Sequence, residues 1–135
     1  MTTGDYNIAI GFGAADAMTG AANSNVVIGT NAMGGVTAAT SENIAIGLDT
    51  LKNASYAAIN RNVAIGTSAG TAITTGTHST FIGHEAGMTC SSENGNTAVG
   101  HIALKLATGY YNTAVGSAAA SSRTIQCSGW WSCVI

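Results

Sequence analysis

The chain has 135 residues, of which only 7% are charged, and its formal net charge is -2 at pH 7. Ala, Gly, Thr, Ser and Asn dominate and proline is absent, which excludes a helix bundle because most of these residues disfavour helix interiors. The few basic residues are scattered and no apolar run reaches the about 20 residues of a membrane span, so we expect neither a nucleic-acid partner nor membrane insertion.

A short motif recurs along almost the whole chain. It consists of Asn (Ser in the degraded fifth copy), an aliphatic residue or Thr, a third residue that is usually Ala, then Ile or Val, then Gly. In chain order its seven copies are 7–11, 25–29, 43–47, 62–66, 79–83, 96–100 and 112–116. The copies are 16 to 19 residues apart, a period too short for two packed helices. The sequence therefore predicts an all-β fold, a β-solenoid or β-roll of about seven short coils over residues 1–120.

Alternation along a strand assigns the motif residues to faces. The second and fourth residues share one face, and the third lies on the other. The fourth residues are all aliphatic and are predicted to fill the interior of the coil: Ile10, Ile28, Ile46, Ile65, Ile82, Val99 and Val115. On this assignment Ile46→Asp or Ile65→Asp abolishes folding, because each buries an unpaired charge. A small third residue lets another backbone layer approach closely.

The two ends of the motif have their own predicted roles. The first residues are expected to form an amide ladder along the stack: Asn7, Asn25, Asn43, Asn62, Asn96 and Asn112. The last residues are expected to turn the chain where a side chain would clash or φ must be positive: Gly11, Gly29, Gly47, Gly66, Gly83, Gly100 and Gly116.

One such coil buries little apolar area, because its side chains are small. Both strand faces nevertheless read as buried, and several chains that share one core satisfy this condition. The sequence therefore predicts a homotrimer. Coils without a cap also expose backbone edges, so end-to-end stacking into a self-polymerising filament is an alternative.

The repeat resembles those of known fibre proteins. Asn-x-Ala-Ile/Val-Gly-x-x-Ala at this spacing resembles the head repeats of trimeric autotransporter adhesins, and residues 108–116 resemble repeats of phage tail fibres and algal-virus surface proteins even more closely. The resemblance implies a structural and adhesive fibre segment on a virion surface, contacting other fibre proteins and a host glycan or protein. The alternatives are a bacterial adhesin head at the cell surface and an extracellular filament subunit. The chain begins without a secretory signal, which predicts assembly inside a cell or a mature fragment.

Residues suited to catalysis do not cluster in the sequence. The carboxylates fall at different repeat positions, and no nucleophile elbow, phosphate loop or zinc spacing occurs. We therefore expect no catalytic residue, no enzyme activity and no cofactor. His84 and His101 follow the motif glycine in consecutive copies, so they are expected to stack and are candidate metal ligands, or else plain turn residues.

The tail, residues 121–135, departs from the repeat and contains both tryptophans. Cys127 and Cys133 flank Trp130 and Trp131 and are able to close a small loop. Two interpretations stay open: a platform for sugar rings, or a cap that covers one end of the stack and connects it to the next fibre component. We favour the cap.

Overall fold

The computed structural model describes residues 4–53, 59–106 and 108–122, and the backbone of residues 133–134. Every regular element in these ranges is a short β-strand. In chain order the strands are β1 (Ile8–Ile10), β2 (Val26–Ile28), β3 (Ile44–Ile46), β4 (Val63–Ile65), β5 (Thr80–Ile82), β6 (Thr97–Val99), β7 (Asn112–Val115) and β8 (Cys133–Val134). They form one sheet in chain order, and all neighbours are parallel. One strand per coil makes the protein a β-solenoid, as the repeat predicts.

The sequence repeat sets the register of the sheet. Equivalent motif residues are direct partners, so that Ala45 pairs with Ala64 and Ile46 pairs with Ile65. Each column of the repeat therefore becomes a row of side chains along the stack, with a rise of about 4.8 Å per coil. The unequal repeat lengths are accommodated in the turns, because all strand pairs from β1 to β7 keep the motif in register.

Positive φ angles recur at the same four positions of every coil. In the third coil they are Glu42 before the motif (φ 61°), Gly47 (135°), Asp49 (54°) and Leu51 (49°). The glycine is required twice over, since a Cβ on Gly47 would also lie 2.7 Å from the carbonyl oxygen of Gly66. This confirms the role predicted for the motif glycine. The other three positions escaped prediction because most copies place non-glycine residues there, at a conformational cost that tertiary packing must offset.

The interior of the solenoid lies on the opposite strand face from the predicted one. From the second copy to the seventh the third motif residues, such as Ala45, Ala64 and Ala98, are buried, whereas Ala9 in the edge strand is exposed. The fourth residues face outward, and Ile10 and Val115 are 58% and 63% exposed. The prediction that Ile10, Ile28, Ile46, Ile65, Ile82, Val99 and Val115 fill the coil is therefore wrong. The coil is thin, and its interior space is already taken by large side chains from the turns.

Three of these large side chains stand four residues after the motif glycine. Met33, Leu51 and Leu104 occupy this position and are fully buried. In these three coils the third residue is Val27, Ala45 or Ala98, each much smaller than phenylalanine. The fifth copy inverts this arrangement: its third residue is Phe81, and a Cβ on Gly70 or Gly87 would lie 2.8 or 2.4 Å from the Phe81 ring. Side-chain volume is thus matched across the interior, as close packing requires.

Phe81→Ala should lower the free energy of unfolding by about 3–5 kcal/mol, because it leaves a cavity between two coils that have no side chain to fill it. Urea unfolding followed by circular dichroism measures the loss. Adding Gly87→Leu to Phe81→Ala should recover part of the stability, since Leu104 occupies the equivalent backbone conformation one coil later. A loss below about 1 kcal/mol for the single variant would contradict this packing scheme.

Candidate functional site

The outward residues of β1 to β7 form one continuous surface, which we call the outer sheet face. Its first row contains the second motif residues: Ile8, Val26, Ile44, Val63, Thr80, Thr97 and Thr113. Its second row contains the outward fourth residues named above. Neither row contains a charged residue. A parallel sheet is normally covered on both faces, so this uncharged and largely aliphatic face is the unusual feature of the solenoid.

The outer sheet face is open to solvent along its length. Its most exposed members lie towards the two ends of the stack and at Ile82, and its central members are half-buried by their own neighbours. At about 4.8 Å per coil, the face is roughly 30 Å long. A contiguous apolar surface of this extent is typical of an interaction site rather than of isolated surface hydrophobics.

A row of charged residues flanks the outer sheet face on the side where the strands begin. Glu42, Arg61 and His78 precede the motif in consecutive coils. Arg61 Nε donates to Glu42 Oε2 at 2.8 Å, and Arg61 Nη1 lies 3.5 Å from His78 Nε2. The hydrogen bond from Arg61 holds the pKa of the Glu42 carboxyl below its usual range, and the same bond raises the pKa of Arg61. Because both side chains are exposed, the pair contributes little to stability.

The two candidate histidine ligands flank the opposite side of the face. The stacking predicted for them is confirmed: the His84 and His101 ring centroids are 5.4 Å apart, with the planes tilted by 31°. Next to them, Lys105 Nζ lies 2.6 Å from Glu85 Oε2, and this bond lowers the pKa of Glu85. In the part of the chain that the structure describes, no three His, Cys, Asp or Glu residues group as metal ligands. The metal site therefore stays a prediction with two ligands.

The tail contributes a strand at the C-terminal end of the stack. Cys133 pairs with Asn112 and Val134 pairs with Thr113, which adds β8 to the edge of β7. Trp130 and Trp131 lie outside the described residues. Their roles as a sugar platform or as a cap therefore remain predictions.

Cys90 is the cysteine that the structure places in the core. Burial raises the pKa of its thiol to about 12, and the charge of Glu93 acts in the same direction. The folded state therefore prefers the protonated thiol more strongly than the unfolded state does. The stability that this preference supplies is fully present below the ordinary thiol pKa and is lost as the pH rises from about 9 towards about 12.

Wild-type stability should consequently fall between pH 8 and about pH 10.5 by more than that of Cys90→Ala. Both proteins should carry Cys127→Ser and Cys133→Ser, so that only one thiol differs between them. Urea unfolding at the two pH values gives the change in the free energy of unfolding for each protein. Equal changes in the two proteins would mean that the Cys90 thiol is not desolvated in the folded protein.

The outer sheet face is the largest feature of the described residues that points to an interaction with another molecule. Across the described ranges, no helix has the length and apolar character that crossing a membrane requires. No family model, no curated protein and no solved structure matches the chain.

Proposed function

We propose that the protein is a structural and adhesive segment of a fibre in which three copies associate through their outer sheet faces. The observation that carries the proposal is the uncharged face along all seven coils, each of which contributes an outward Ile or Val at the fourth motif position. Burying such a face stabilises an assembly by about 25 cal/mol for each Å² of apolar surface removed from water. The resemblance of the repeat to viral tail-fibre repeats supports a place on a virion surface.

The solenoid suits a fibre because its length grows with the number of coils. All main strand contacts are between neighbouring coils, so the stack extends along one axis. A closed ring of copies removes the outer sheet face from water without leaving a free apolar surface. We propose three copies instead of two because the repeat resembles those of trimeric adhesins and fibres. A bacterial adhesin head at the cell surface would use the same assembly.

A self-polymerising filament is the second candidate, and one observation favours it. β1 lies at the edge of the sheet, and all three of its residues are exposed. An exposed parallel edge invites pairing with another chain. In this case copies would stack end to end in addition to associating laterally.

The two candidates differ in the size of the particle in solution. Light scattering of the purified full chain should give the mass of three copies, and electron microscopy should show short rods of uniform length. Rods of indefinite length would favour the filament. A stable folded monomer at micromolar concentration would contradict the proposed association through the outer sheet face.

A further inference from the structure

A cleft of about 400 Å³ opens on the turns of the first three coils, away from the strands. The register explains why it forms. Five residues after the motif glycine, the three coils place Asp16, Gly34 and Lys52 in one row. The next row contains Ala17, Gly35 and Asn53. The two adjacent glycines of the middle coil therefore leave a gap in both rows, between walls that are two coil rises, or about 10 Å, apart.

The floor of the cleft cannot easily be filled by a side chain. A Cβ on Gly35 would lie 2.5 Å from the carbonyl oxygen of Lys52, and a Cβ on Gly34 would lie 3.0 Å from that of Gly13. The gap is thus built into the backbone path of the second coil. Its volume lies within the range of small-ligand pockets.

The groups around the cleft are unevenly charged, and two of them are not paired with other described residues. Among the described residues, neither the Asp16 carboxylate nor the Asn31 side-chain amide has a hydrogen-bond or ion-pair partner. The ammonium of Lys52 is already paired with Asp49, Nζ to Oδ1 at 3.0 Å. The uncompensated charge of the cleft is therefore the negative charge of Asp16, which disfavours anionic ligands.

An open aromatic ring completes the cleft. Phe12 is 84% exposed and lies at the mouth. Its ring offers an apolar face, while Asp16 and Asn31 offer hydrogen-bonding groups that are not engaged elsewhere. A ligand that satisfies all three has one apolar face, several hydroxyl groups at its edges and no negative charge.

We propose that this cleft binds one neutral hexopyranose unit of a glycan. The sugar ring places its C–H face on Phe12, and its edge hydroxyls donate to Asp16 and exchange hydrogen bonds with Asn31. The biological role of this site rests on the proposed adhesive function, because the site names the class of ligand to which the fibre segment would adhere. The binding itself requires one chain and does not depend on association through the outer sheet face.

Saturation-transfer NMR on the full chain tests the site with four neutral probes and one anionic probe. The neutral probes are the methyl glycosides of glucose, mannose, galactose and N-acetylglucosamine, and sialic acid is the anionic probe. At least one neutral glycoside should bind with a millimolar Kd, the affinity range of small ligands with few contacts. Sialic acid should bind at least about fivefold more weakly.

Phe12→Ala and Asp16→Asn should each weaken binding of the neutral probe by at least about fivefold. Leu48→Ala is the matched control for Phe12→Ala, since Leu48 is an exposed residue at the same repeat position outside the cleft. It should leave binding unchanged. No saturation transfer from any neutral glycoside at about 20 mM, or transfer that survives both cleft variants, would overturn the proposal. Light scattering on the same samples distinguishes the two proposals. A monomer that binds the sugar would contradict only the trimer, and a trimer that does not bind it would contradict only the sugar site.

Discussion

Ala64→Asp should abolish cooperative folding, whereas Ile65→Asp, one position further along the same strand, should leave the coils folded. Ala64 is fully buried in the interior of the solenoid, between Ala45 and Phe81 on the neighbouring strands. A carboxylate there has neither a partner nor water, and its cost of several kcal/mol is comparable to the whole stability of a small domain. Far-UV circular dichroism and urea unfolding report the outcome.

Ile65 lies on the outer sheet face, so its replacement acts on association instead of folding. In a single chain the new carboxylate points to solvent. In the proposed trimer it would be buried against other copies, and the assembly should dissociate to monomers. Light scattering beside circular dichroism separates the two effects. If Ile65→Asp also unfolds the chain, folding and association are a single step and the interior of one coil does not suffice.

The Ile65 prediction reverses the expectation drawn from the sequence, for a physical reason. Alternation correctly separates Ile65 from Ala64, but it does not state which face the coil encloses. Hydrophobicity alone would place the larger residue, Ile65, in the interior. The coil is too thin for it, so the smaller residue, Ala64, is the one enclosed. A signal in the sequence does reveal the choice: Leu51 and Leu104 lie four residues after the motif glycine, and that position becomes Gly70 and Gly87 around Phe81.

Other features followed directly from the spacing of the repeat. Once the period is known, equivalent residues must stack, so the stacked rings of His84 and His101 were predictable. The cleft near Phe12 was harder to foresee. It depends on Gly34 and Gly35 in one coil facing longer side chains in the coils on either side, which is visible only when the turns are aligned as well as the motif.

The asparagine ladder is the second feature whose loss should have a large effect. The ladder oxygens of the first six copies accept from the next coil. Asn43 Oδ1 accepts from Asn62 N at 3.0 Å and from Asn62 Nδ2 at 3.3 Å. Asn43 Nδ2 donates to Asn25 Oδ1 at 3.0 Å and to Ile59 O at 3.0 Å. The side chain therefore links the strand of its own coil to both neighbours, and its partners in those neighbouring coils, Asn25, Ile59 and Asn62, are fully buried.

Asn43→Leu should lower the free energy of unfolding by about 3–5 kcal/mol at constant protein concentration. The new side chain has a similar size, so most of the loss comes from buried groups that lose their partners, above all the N–H of Asn62. Asn43→Ser is the matched control, because Ser79 takes the ladder position in the fifth coil and its Oγ accepts from Asn96 N at 3.2 Å. A serine at position 43 keeps one acceptor for Asn62 N but cannot reach as far as the amide, so its loss should be about half that of leucine. In urea unfolding, the free energy of unfolding should decrease from the wild type to Asn43→Ser and further to Asn43→Leu. If leucine is as stable as wild type, packing alone holds the coils in register, and the hydrogen bonds of the ladder are incidental to it.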